Sequence, residues 1–163
     1  MDQIMINMII RRVTDRDLEE IAAIHDAARK EELKLAGLED AFLPFSVCAE
    51  RENLFGYEGL FVAETEGRIL GFAACSREEL AWLYVWPTVF RRGIGSSLVS
   101  CVLKAYPEIR YVEVLKGNFP AAALYEKMGF SMVREISGSM PGNEHFPVRV
   151  LLYERNAQAL PDQ

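Results

Sequence analysis

The sequence predicts an α+β (mixed α/β) domain, and three observations predict it. Strand and helix periodicities alternate without a linker or repeat, in the order β-α-α-β-β-β-α-β-α-β-β, which gives about seven strands and about four helices. The chain of 163 residues matches one domain, 1–163, with a core over about residues 8–154. Half of the residues are hydrophobic and 26% charged, a globular composition that excludes intrinsic disorder. A domain of this size buries roughly 70% of the surface its unfolded chain exposes, so it needs no covalent staples.

Met5 to Val13 is apolar and β-branched and reads as the first strand, closed by Thr14. Thr14-Asp-Arg-Asp17 then offers capping side chains before a helical stripe at Leu18, Ile21, Ala22, His25 and Ala28. Acids in its first turn suit the positive end of a helix. A second helical stretch falls between Leu38 and Asn53, interrupted near Pro44. Gly59 to Glu64 and Arg68 to Cys75 are apolar runs around Thr65-Glu66-Gly67, a hairpin signal. Leu80 to Val85 is a further strand, stopped by Pro87. A glycine-containing turn leads into a helix from about Gly95 to Tyr106, with Ile94, Leu98, Val102 and Ala105 along one face. Tyr111 to Leu115 is a short strand. Asn118 can cap the next helix, Pro120 is tolerated in its first turn, and Gly129 ends it. Phe130 to Ile136 and Val148 to Tyr153 close the chain as strands around a loop, Ser137 to Pro147.

Charge and cysteines narrow the function. Lysine and arginine total 18 against 24 acids, a net charge of −6, which argues against general binding to a nucleic-acid backbone. The excess lies in residues 15–52, with eleven acids and five bases, so two amphipathic helices with solvated faces or a surface for a cationic partner both fit. Cys48, Cys75 and Cys101 form no CxxC pair, and His25 and His145 are isolated, so no metal site is expected. The expected state is buried free thiols in a reducing compartment. The apolar run Ile4 to Ile10 is too short to cross a bilayer and lacks the basic flank of a signal peptide. A cytoplasmic protein with no membrane partner is expected.

The stretch richest in chemistry is Val85-Trp-Pro-Thr-Val-Phe-Arg-Arg-Gly-Ile-Gly-Ser-Ser-Leu-Val99. A strand runs into a turn holding Gly93 and Gly95, and a helix starts at once. Free N–H groups at a helix start and the positive end of its dipole favour an anion, and Arg91 and Arg92 add full charges. The motif reads as a phosphate cradle, although a plain strand-to-helix turn also contains GxG. A dinucleotide fingerprint is excluded because Leu98 holds the place of its third glycine, and no Gly-Lys-Ser/Thr of a Walker A loop occurs.

The run LYVWPTVFRRGIGSSLV, followed by VEVLKGNFPAAALYEKMGF, resembles the GNAT superfamily of acyl-CoA-dependent N-acyltransferases. The motifs are specific over about residues 80–130. The resemblance implies a mostly antiparallel twisted sheet whose strands 4 and 5 run parallel and splay apart. It implies acetyl-CoA as acyl donor, its pantetheine meeting Leu83, Tyr84 and Val85 and its pyrophosphate surrounded by Arg91, Arg92, Gly93, Ile94, Gly95 and Ser96. The loop departs from the family pattern in carrying Phe90 at its first position, which leaves the backbone donors intact.

The same resemblance supplies candidates for the reaction. Asn118 is a helix cap or a contact to the cofactor, and Tyr125, on the stripe Ala121, Leu124, Tyr125, Met128, is a core tyrosine or the acid that protonates the departing thiolate. Glu113, between two valines, is a solvent-face acid or the general base. The spacing Glu113, Asn118, Tyr125 is similar to that of the ribosomal-protein N-terminal acetyltransferases. Glu79 is the competing base. His25, Trp82 and Trp86 read as packing residues and Lys116 as a turn lysine.

The implied function is direct transfer of an acetyl group from acetyl-CoA to a primary amine, a small cationic one given that the acidic helices wall the acceptor site in this family. Transfer to a protein N-terminus and a non-catalytic acyl-CoA-binding module are the alternatives. A homodimer is left open.

Overall fold

The computed structural model describes residues 7–156. Seven strands form one sheet: β1 (Ile9–Arg12), β2 (Gly59–Thr65), β3 (Arg68–Cys75), β4 (Glu79–Val85), β5 (Tyr111–Leu115), β6 (Ser131–Met140) and β7 (Asn143–Glu154). Four helices join them: α1 (Leu18–Ala36), α2 (Phe45–Arg51), α3 (Ile94–Ala105) and α4 (Phe119–Lys127). The strand order is β1-β2-β3-β4-β5-β7-β6. Every neighbouring pair is antiparallel except β4 and β5.

That parallel pair fixes the site. It registers at Glu79↔Tyr111 and Leu80↔Val112, after which the two strands part and the edge of β4 facing β5 is left open. On its other side β4 stays paired with β3 as far as Gly71↔Val85. The register slips there between Ala74↔Trp82 and Cys75↔Leu80, so Ala81 is the extra residue of a β-bulge, which re-aims the chain beside the opening.

Alternation along the central strands builds a core on each face. Phe61, Ala63, Ala73 and Val85 pack with Ile94, Leu98 and Val102 of α3 and Tyr125 of α4. Their neighbours Val62, Phe72 and Trp82 pack with Ile21 and Ile24 of α1 and Phe45 of α2. Each fully buried Leu, Ile or Phe contributes about 1.5–3 kcal/mol relative to exposure. The stripe predicted on α3 holds except that Val99 is buried and Ala105 exposed. His25 and Trp82 are packed as expected, and Trp86 donates its indole N–H to the Ile69 carbonyl at 3.1 Å.

Two element boundaries differ from expectation. β1 is shorter than Met5 to Val13, and Met5 itself lies outside the described residues. The second helical stretch is interrupted near Pro44 as expected, with a 3-10 turn, Glu39–Ala41, before it and α2 after it. The stretch Ser137 to Pro147 is mostly strand: β6 and β7 run on to a tight turn at Pro141-Gly142. Pro147 is tolerated because β5 ends at Leu115↔Val150, so one side of β7 has no neighbouring strand there. Cys48 and Cys75 are buried free thiols, whereas Cys101 is half-buried. Among the described residues no cluster of His, Cys, Asp and Glu has the makings of a metal site, and no helix is long and apolar enough to cross a membrane.

Candidate active site

The gap between β4 and β5 is a cleft lined by Leu80, Ala81, Leu83, Tyr84, Val112, Glu113 and Val114 of the two strands, by Asn118, Ala121 and Tyr125 of the segment that follows, and by Glu32 of α1. The fold therefore brings Leu83, Tyr84, Glu113, Asn118 and Tyr125 together. Val85 is buried and its side chain belongs to the core under α3, so only its backbone is available to a ligand. Glu79 is half-buried and does not line the cleft.

Beyond the wide end of β4 the chain turns through Pro87–Val89 into the start of α3. Arg91 and Gly93 both hold left-handed backbone, with φ of +65° and +85°. Left-handed residues of this kind occur in nests, where successive N–H groups turn toward one point. Gly93 is the N-cap and supplies no side-chain acceptor, so the first amides of this twelve-residue helix are open to a ligand. Arg91, Arg92 and Gly93 are exposed, and Gly95 and Ser96 half-buried. Ile94 is the exception: the residue is 1% exposed and anchors the helix in the core. A Cβ on Gly95 would stand 3.2 Å from Leu124, so this glycine lets α3 and α4 approach closely. The exposed Phe90 places no polar group in the loop.

Within the cleft, Tyr125 is 6% exposed and its ring meets Phe130 edge-on, with centroids 5.9 Å apart. Burial, with the charge of Glu32 adding to it, raises its hydroxyl above the usual tyrosine range, so the proton stays on across neutral pH. Asn118 does cap α4, its Oδ1 accepting from the Ala121 amide at 3.3 Å. Its Nδ2 also donates to Glu32 at 3.3 Å. Glu113 is exposed on β5. Glu79 titrates above the usual carboxylate range, mainly through burial and then through the charge of Glu113. Lys116, in the turn after β5, pairs with Glu135 of β6 at 2.6 Å.

The sequence reading missed Glu32. Its carboxylate accepts from the Arg29 guanidinium, from the Tyr84 hydroxyl at 3.3 Å and from Asn118, joining α1, β4 and α4 across the cleft. A signal was present, because Glu32 continues the stripe Leu18, Ile21, His25, Ala28 at helical spacing, where an acid is out of place. The wider acid excess of residues 15–52 is partly consumed in structure. Asp17 is buried against Arg11 at 2.8 Å, and Glu20 accepts from the Ile69 amide at 2.9 Å.

The β6–β7 turn is fastened to α1, to α2 and to the segment between them. Arg51 donates to the Gly142 carbonyl at 2.6 Å, Asn143 to the Ala41 carbonyl at 2.9 Å, and Arg29 reaches the Met140 sulfur at 3.5 Å. Glu52 sits under the turn, where burial pushes its carboxyl up to about 7, Arg29 pulls it down, and Glu144 and Glu32 push it up again.

Residues 56–132 match the family model described as an acetyltransferase (GNAT) domain. The chain is 36% identical over 74 residues to the peptidyl-lysine N-acetyltransferase YiaC of Escherichia coli (strain K12), an alignment spanning 45% of this chain and half the length of that relative. Its fold is similar to the GCN5-related N-acetyltransferase of Rhodopseudomonas palustris, with a TM-score of 0.73 at 19% identity over 90% of this chain and 94% of that one. It is also similar to the PaiA N-acetyltransferase of Thermoplasma acidophilum, solved in complex with coenzyme A, with a TM-score of 0.63 at 17% identity over 91% and 98% of the two chains.

Proposed function

We propose that this chain, a GNAT-superfamily protein by its fold and by the match of its acetyltransferase domain, transfers an acetyl group from acetyl-CoA directly to a slender primary amine that is cationic at neutral pH. The observation that carries this reading is the parting of β4 from β5 after Leu80, with the tyrosine hydroxyl of α4 in the gap and an open helix start beyond it. The residues fit the cofactor. The free edge of β4 at Leu83, Tyr84 and Val85 offers backbone groups to an amide-bearing arm, as a neighbouring strand would. The amides of Arg92 to Ser96, with the charges of Arg91 and Arg92, offer donors to a diphosphate.

The reaction forms a C–N bond and breaks a C–S bond. Glu113, the candidate base that lines the cleft, takes one proton of the ammonium, directly or through water, to free the attacking lone pair. The second N–H proton is released as the amide forms and restores Tyr125 through water. Backbone N–H groups of β4 beside the bulge stabilise the carbonyl oxygen as charge develops on it. Tyr125, kept protonated by burial, gives its proton to the departing thiolate.

A slender acceptor is favoured by the β6–β7 turn, which is tied down on α1 and α2, the helices that the family resemblance assigns to the acceptor wall. A peptide amine is the second reading, supported by the similarity to the peptidyl-lysine N-acetyltransferase from Escherichia coli.

Thiol release from acetyl-CoA over a panel of amines tests the proposal. Tyr125→Phe is expected to lower turnover about 100-fold, while calorimetry shows coenzyme A bound as in the wild type. An undiminished rate removes Tyr125 from the mechanism, and coenzyme A binding without thiol release from any amine supports a non-catalytic module instead.

A further inference from the structure

Glu32 stands at the junction of three elements, and its hydrogen-bonding capacity is not exhausted there. An ionised carboxylate offers about four acceptor directions. Three donors use them here: Arg29 and Tyr84 at Oε1, and Asn118 at Oε2. The side chain keeps 21% of its surface exposed, and the residue lines the same cleft as Tyr125 and Glu113. One acceptor direction is thus left on a carboxylate that is already oriented, so little rotamer entropy remains to be lost when a ligand binds. The three donors also hold it in one place. Tyr84 is fixed among Phe72, Trp82 and His25, and Asn118 by its cap on α4.

We infer that Glu32 is the acceptor-binding residue of the cleft, its free oxygen lone pair receiving an N–H of the incoming primary ammonium beside Glu113 and Tyr125. The inference rests on the proposed acetyl transfer and names the part of that site which selects a cation. A charge-assisted hydrogen bond of this kind is roughly twice as strong as a neutral one. Glu32 therefore favours amines that are protonated in solution, and it leaves proton removal to Glu113.

The test reads binding, so it does not depend on turnover. Protein saturated with coenzyme A is titrated by NMR with n-butylamine, cationic at neutral pH, and with n-butanol, its uncharged counterpart of similar shape. Glu32→Gln is expected to weaken butylamine at least tenfold and butanol less than twofold, with coenzyme A affinity within twofold of the wild type. Glu32→Asp keeps the charge on a shorter stem and is expected to fall between. Glu32→Ala serves as the deciding variant if the glutamine form does not fold, and undiminished butylamine affinity in it overturns the assignment. Equal losses for amine and alcohol mean a packing role and overturn it too, as does indifference of the wild type to butylamine. Failure of coenzyme A itself to bind refutes the acetyl-transfer proposal rather than the role of Glu32.

Discussion

Two carboxylates compete for one role, and their surroundings separate them. Glu113 lines the cleft on β5, whereas Glu79 sits at the closed end of the β4–β5 pair, registered with Tyr111. A base must reach the proton it abstracts, directly or through one water. Glu113→Gln is therefore expected to lower kcat about 100-fold in the thiol-release assay, and Glu79→Gln less than tenfold; the reverse order would assign the base to Glu79. Tyr125, Asn118 and Glu113 were singled out because the family resemblance covers them within one stretch of 13 residues; without it they read as a core tyrosine, a helix cap and a solvent-face acid. Glu32 was not, since its meaning comes from Tyr84 and Asn118, 52 and 86 residues away, and only the folded chain brings them together. The acid on an otherwise apolar stripe marked the position without saying what it would meet.

Elements were legible where local chemistry is decisive and unreadable where pairing is. The strand Tyr111–Leu115 and the cap at Asn118 stand as predicted, because an apolar run and a capping side chain act within a few residues. The β6–β7 hairpin was read as a loop because Gly138, Pro141, Gly142 and Pro147 are turn formers, yet antiparallel pairing carries the strands through two of them, at Gly138↔Val148 and Ser139↔Pro147. The element on which the cofactor proposal stands is the turn before α3, and its weak point is Gly93. At φ of +85° an L side chain is strained by about 1 kcal/mol or more. Gly93→Ala is expected to lower Tm by roughly 2–4 °C per kcal/mol, in a thermal melt, and to weaken coenzyme A several-fold as the amides move. Unchanged coenzyme A affinity in a destabilised variant would separate the turn from diphosphate binding.

Across the whole molecule, the alternating order of strands and helices indicated the α+β class and the family resemblance the parallel β4–β5 pair, but the net charge of −6 said little about where acids act. Placed in the fold, they make stability depend on pH in opposite ways. Asp17, held down to about 2 by its bond to Arg11 and by the Thr14 amide, contributes stability above its unfolded value near 3.8, and that contribution is lost as pH falls toward 2. Glu52 has the reverse sign. Its folded value, raised to about 7, means that the fold favours the protonated carboxyl, so a cost appears as pH rises above about 4.5 and is complete above 7. His25 opposes it over part of the same interval: burial lowers its pKa, so the unfolded chain gains a proton that the folded chain refuses as pH drops below about 6.5. The wild-type curve superposes the two, and a substitution is needed to separate them. Glu52→Gln mimics the protonated carboxyl and removes one titration without touching the other. Discounted for partial exposure, the cost it relieves is about 1–2 kcal/mol. Melts of the variant are therefore expected to match the wild type near pH 4.5 and to exceed it by roughly 2–8 °C at pH 8. A gain of the same size at both pH values would mean that the glutamine simply packs better under the β6–β7 turn, and that the charge of Glu52 is not what the fold opposes.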